Sequence, residues 1–184
     1  MKKRCEWAKD EPNTTYHDDE WGVPLHDDVG LFEFLILEGA QAGLSWRTIL
    51  NRRNGYRIAF SNFDVVAVSK YTQNDVKKLV QNKNIIRNKL KINSAINNAK
   101  QFVKIQQEFG SFDEYLWGFV NHKPIKNKFK KHSDLACSSI ISEKLSQDLK
   151  KHGFTFVGPI ICYSLMQAVG MVNDHTSDCY KYLK

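Results

Sequence analysis

Nowhere in these 184 residues does a run of alternating apolar and polar side chains continue long enough to build a sheet; FTFV at 154–157 is too short. No apolar run is long enough to cross a membrane. The strongest, LFEFLILEGA, is short and carries two glutamates. A signal-peptide core is also missing, because the basic MKKRC is followed at once by EWAKDEPNTTYHDDE. These absences point to a cytoplasmic protein with no membrane partner. In that compartment the cysteines at 5, 137, 162 and 179 are expected to be reduced, which favours metal binding over disulfides. No repeat and no clear linker divides the chain. Its length suffices to bury a core without cross-links, so residues 1–184 are expected to form a single domain.

Helical spacing dominates what remains. Residues 28–42 are apolar nearly all round, as in a buried helix. Residues 85–103 place Ile85, Ile92, Ile96, Ala99 and Val103 at helical intervals. Further helices are expected near 72–80, 111–120, 138–151 and 159–170, giving an all-α fold. The Asn/Lys richness of 81–98 reads as compositional, with little chemistry in it. Residues 121–132, NHKPIKNKFKKH, form a basic connector.

Charge is unevenly spread. Residues 1–38 carry a net −6 and residues 39–184 a net +13, for +7 overall. A basic body fits a polyanion such as nucleic acid, and equally a solvated basic surface.

Three features could carry chemistry. Cys5 and His17 near one end, with His175 and Cys179 near the other, make a Cys2His2 set of the kind that suits tetrahedral zinc. Four protein ligands leave no open position, so such a zinc would be structural and would join the two chain ends. The spacing alone also allows four unrelated residues. Glu38 is the second feature. It follows Leu31, Phe34 and Leu35 at i+7, i+4 and i+3, on the apolar face of its own helix, near Trp7, Tyr16, Trp21 and Trp46. A glutamate at a helix end would explain this, and so would a pocket with aromatic walls and one carboxylate, suited to a flat cation. The third is Gly158–Pro159, which opens an apolar helix. Either it is a tight turn into the core, or its free amides hold a phosphate.

YHDDEWGVP, LFEFLILEGAQAGLSW, LWGFVNHKP and FVGPIICYSLMQAVGMVNDH, with the flanking Cys and His residues, resemble 3-methyladenine DNA glycosylase I over nearly the whole chain, from Arg4 to about Cys179. That family is a zinc-bearing branch of the helix-hairpin-helix glycosylases. The resemblance implies that Cys5, His17, His175 and Cys179 hold one structural zinc joining the N- and C-terminal segments. It implies that Glu38 contacts a flipped methylated base, with Trp46, Tyr16, Trp21 and Trp7 lining the pocket. It further implies that Gly158 belongs to the DNA-binding hairpin, and that AGLSW, with Gly43 and Leu44, lies against the opened duplex. The hairpin FTFVGP departs from the Gly-x-Gly form of the wider superfamily. The implied partners are alkylated double-stranded DNA and free 3-methyladenine as product, with the protein acting as a monomer. The implied enzyme is monofunctional, and Asp174 receives no catalytic role. The competing readings are a zinc-stabilised nucleic-acid-binding module without catalysis, and a related glycosylase of broader substrate range.

Overall fold

The computed structural model describes residues 2–182. Among them the chain runs through α1 (Asn13–Asp19), α2 (Asp28–Gln41), α3 (Trp46–Leu50), α4 (Arg53–Ala59), α5 (Val65–Ser69), α6 (Gln73–Gln81) and α7 (Lys89–Phe109). It continues through α8 (Phe112–Gly118), β1 (Ile125–Lys126), α9 (Ile140–Lys151), α10 (Pro159–Ala168) and β2 (Val172–Asn173). The expected helical class holds, and among the described residues no helix is long and apolar enough to cross a membrane.

α2 is the centre of the molecule. The Asp27 side chain accepts from Gly30 N and starts the helix, and every residue from Leu31 to Ala40 is buried. It packs against α3, α7, α8 and α10. Its first residue is also a junction. The Asp28 carboxylate accepts from Phe112 N, Asp113 N and Gln106 Nε2 at 2.7–3.0 Å. One side chain thereby caps α8 and ties it to the end of α7 and the start of α2.

α7 corrects two expectations. It begins at Lys89 instead of 85, because Asn88 caps it by accepting from Leu90 N and Lys91 N, and it continues to Phe109. At about 1.5 Å per residue it is roughly 30 Å long. Ile92, Ala95, Ile96, Ala99, Phe102 and Ile105 form its buried side, and the Phe102 ring stacks on Phe112 at 4.0 Å. Its Asn and Lys residues are the second correction. Asn98 bonds Thr155 through both backbone groups, at 2.9 Å each, and Lys91 reaches carbonyls at the end of α2. Those side chains hold distant segments together and are not mere composition.

β1 and β2 form a two-residue parallel pair, with Ile125 opposite Val172. The strand pairing falls here and not at 154–157. It fastens the basic connector to the segment that follows α10. The two chain ends are fastened as well: Tyr180 N donates to Lys3 O at 2.9 Å, and Arg4 donates to both oxygens of Asp18.

Candidate active site

The C-terminal half of α2, with α1, α3 and α10, encloses one side of a cavity of about 720 Å³. Tyr16, Trp46, Trp7 and Trp21 supply aromatic wall, and Glu38 opens into it from α2. The Tyr16 ring centroid lies 5.3 Å from Trp46 and 6.2 Å from Trp7, and Trp7 meets Trp21 edge-on at 5.0 Å. The residues grouped from sequence therefore do come together.

Glu38 is 4% exposed and has no hydrogen-bond or ion-pair partner among the described residues. Burial alone pushes its carboxyl up to about 8. Two further polar atoms in the same wall are buried without partners, Trp46 Nε1 and Asn13 Oδ1. One carboxyl, one donor and one acceptor, all unsatisfied and set among aromatic faces, can receive a flat ligand that brings its own hydrogen bonds. Glu33, by contrast, faces away and is fully paired. It accepts from Arg53 and Arg57, while Arg53 also reaches Glu20 and lies over the Phe34 ring at 5.0 Å.

A second cluster lies behind the aromatic wall. Ligand atoms of Cys5, His17 and Cys179 sit within 4.8 Å of one another, all buried. His175 is outside that trio but close, its ring 5.0 Å from that of His17. Its Nδ1 is 3.0 Å from Asn173 Oδ1, while its Nε2 is buried without a partner. His17 Nδ1 is 2.8 Å from Asp18 Oδ1, and the Arg4 guanidinium holds that carboxyl well below the usual range. In both rings the hydrogen bond at Nδ1 leaves the Nε2 lone pair available, as in metal-binding imidazoles. Burial lowers both imidazoles, His175 to about 3, so they stay neutral as ligands require. Two thiols and the His17 imidazole could hold a metal ion, with the His175 imidazole beside them. The cluster also braces the pocket, since Trp21 rests on His175 at 4.6 Å and Trp7 on His17 at 5.4 Å.

The model of the methyladenine glycosylase family matches residues 7–182. DNA-3-methyladenine glycosylase 1 of Escherichia coli (strain K12) is 46% identical over 181 residues, covering 98% of this chain and 97% of that protein. The DNA-3-methyladenine glycosylase of Haemophilus influenzae is 41% identical over 180 residues, covering 97% of each. The chain belongs to the methyladenine glycosylase family. A crystal structure of 3-methyladenine DNA glycosylase I superposes with a TM-score of 0.95 at 42% identity, covering 98% of this chain and all of that one. A structure of that enzyme from Staphylococcus aureus, which describes its recognition of 3-methyladenine, has a TM-score of 0.95 at 37% identity and covers 98% and 97%.

Family membership directs attention to the cavity mouth. Leu44 is exposed, in a turn between the cavity-lining Gln41 and Ser45 whose Gly43 has φ +77°, a conformation that favours glycine. Gly158 sits at the entry to α10 with an ordinary φ of −64°, and a side chain on it would meet nothing within 4 Å. The fold does not require glycine at 158. In that turn Gly153, at φ +84°, and Phe156, at φ +55°, are both left-handed.

Several wall residues escaped the sequence reading. Asn13, which the sequence did not mark, is the first of these. Ile160, 61% exposed, lies beside the cavity. Tyr163 and Gln167 also face the cavity, and both donate to Asp174 Oδ2 at 2.8 Å, while Asn127 donates to Oδ1 at 2.7 Å. Asp174 is 1% exposed and engaged through both oxygens, which makes it a structural hub. The one cue was Tyr163, whose buried hydroxyl needed a partner.

Proposed function

We propose that this chain is a monofunctional DNA repair glycosylase acting on N3-methyladenine in alkylated duplex DNA. The observation that carries this reading is Glu38, buried and unpartnered in an aromatic-walled cavity. The target base must leave the helix to enter such a cavity. Adenine methylated at N3 while still bonded to the sugar at N9 carries a positive charge. Aromatic faces and a nearby carboxyl favour that cation over neutral adenine. When the C1′–N9 bond breaks, its electron pair passes to the base and neutralises it. Water adds to C1′ and loses a proton, leaving an abasic site. The departing base is already an activated leaving group, so the chemistry asks little of an acid. Selection at the pocket is the main task, with Glu38 as the residue that contacts the base and Tyr16, Trp46, Trp7 and Trp21 around it.

In this reading α9, residues 152–158 and α10 act as a helix-hairpin-helix on the phosphate backbone through Gly158. Gly43 and Leu44 press on the opened duplex, and Cys5, His17, His175 and Cys179 hold one structural zinc. The protein acts as a monomeric single domain of residues 1–184 in the cytoplasm. Chromatography of bases released from methylated DNA tests the activity: 3-methyladenine should appear, and a release profile without it would overturn the reading. The +13 on residues 39–184 gives a second expectation. Log affinity for duplex should fall linearly with log salt, with a slope of about 0.9 per neutralised phosphate. A flat response in a titration from low to physiological salt would remove DNA from that surface.

A further inference from the structure

The polar residues of α7 have one arrangement that the pocket does not explain. Lys91, Ser94 and Asn98 are spaced by three and four, so they share one face of the helix. At one end of this stripe the Lys91 ammonium donates to Ala40 O at 2.8 Å and Ala42 O at 2.6 Å. These carbonyls lie at the end of α2, where a helix leaves carbonyls unpaired. The next residues are the Gly43–Leu44 turn, which Gln41 Nε2 braces by donating to Leu44 O at 2.7 Å. At the other end Ser94 Oγ and Asn98 Nδ2 both donate to Thr155 O, and Thr155 N and Oγ1 return bonds to Asn98 Oδ1 and Ser94 Oγ. Thr155 immediately precedes Phe156, a left-handed residue, and the approach to Gly158. The void left between α2, α7 and Phe156 is about 10 Å³, no more than one water fills. The 41–45 turn and the 153–158 turn are therefore gripped by a single face of one helix.

We propose that α7 fixes the spacing between the 41–45 turn and the 153–158 turn, and that Lys91 is a positioning residue for duplex binding. The inference rests on the DNA glycosylase reading. Lys91 is a cation that does not meet the phosphate backbone. Two of its three donors are spent on protein carbonyls, and burial lowers its pKa. Its removal would free Ala40 O and Ala42 O and let the turn carrying Leu44 drift relative to Gly158. Trp46 would keep its place, because α3 has its own cap, Ser45 Oγ accepting from Thr48 N at 3.2 Å.

Lys91→Met keeps the length of the side chain and removes the donors. Fluorescence anisotropy with a duplex carrying a tetrahydrofuran abasic analogue should show about a tenfold loss of affinity, at a salt slope equal to the parent's. Free 3-methyladenine should bind within twofold of the parent. Lys91→Arg, which keeps charge and donors, should recover most duplex affinity. Unchanged duplex affinity would overturn the proposal. So would an equal loss for base and duplex, which signals general damage, or a slope smaller by about one, which signals a direct phosphate contact. If circular dichroism shows Lys91→Met unfolded, Lys91→Gln, with a single shorter donor arm, is read by the same comparison. A parent that releases no 3-methyladenine from methylated DNA counts against the glycosylase reading. A missing split in an active parent counts against Lys91 alone.

Discussion

Glu38→Gln should stabilise the protein above neutral pH while weakening its hold on the base. The folded carboxyl sits at about 8, against an unfolded value near 4.3. The unfolded chain therefore ionises first as pH rises. The contribution of this group to stability is complete below about pH 4.3 and is lost progressively up to about 8, in line with a folded pKa that is raised. At about 1.4 kcal/mol per unit the loss reaches on the order of 4 kcal/mol by pH 7. Glutamine cannot ionise, but it still buries an unpaired amide at a cost of about 1–3 kcal/mol. The variant should thus melt near the parent at pH 5 and several degrees above it at pH 8. Calorimetric scans across that range check it, and a constant difference would mean that Glu38 is not held neutral.

The same substitution should weaken 3-methyladenine binding by roughly 1.5–3 kcal/mol, the scale of a hydrogen bond to a charged group. The sign of the pH effect differs for the free base. Once released, the base is neutral, and the complex needs one proton shared between base and carboxyl. Below about pH 8 Glu38 supplies that proton; above it the proton must come from solvent. Parent affinity should therefore fall above pH 8, whereas Glu38→Gln should show no such decline. Unmodified adenine should bind the parent far more weakly. Tryptophan fluorescence titrations from pH 6.5 to 9.5 measure all three, and equal affinities of parent and variant would return Glu38 to a structural role.

What the sequence disclosed depended on how local the physics was. α2 was legible because a buried helix needs a continuous apolar run, and the one acid on its apolar stripe marked the pocket. α3, α4 and α5 were not, since segments of five to seven residues carry too little periodicity. α3 and α5 stand on caps from Ser45 and Asp64 and on tertiary packing. The Asn/Lys stretch misled for another reason. Asn98 and Lys91 have partners 57 and 49 to 51 residues away, and only the folded chain reveals that they are tethers. Asn13 joined the pocket wall because α1 turns it inward, which its neighbours in sequence do not signal.

Removing metal from the joined chain ends should cost more than any single pocket substitution. Without a cation the buried cluster holds thiols, and burial pushes Cys5 up to about 12. A divalent ion bound there would reverse that preference and draw out two thiolates, and the orphan Nε2 of His175 is close enough to be a further candidate donor. Freshly purified protein should contain one zinc per chain. Chelation, or Cys179→Ser, should remove several kcal/mol, which for a chain of this size lowers the melting temperature by about 10 °C. Because thiolates and neutral imidazoles are required, metal should also be lost on acidification. The loss should extend to the pocket: Trp21 and Trp7 rest on His175 and His17, so the demetallated protein should bind 3-methyladenine more weakly even where it stays folded. Elemental analysis, thermal scans and base titration before and after chelation measure this directly. Fresh, never-chelated protein without zinc, or unchanged melting after chelation, would mean that hydrogen bonds alone join the two ends.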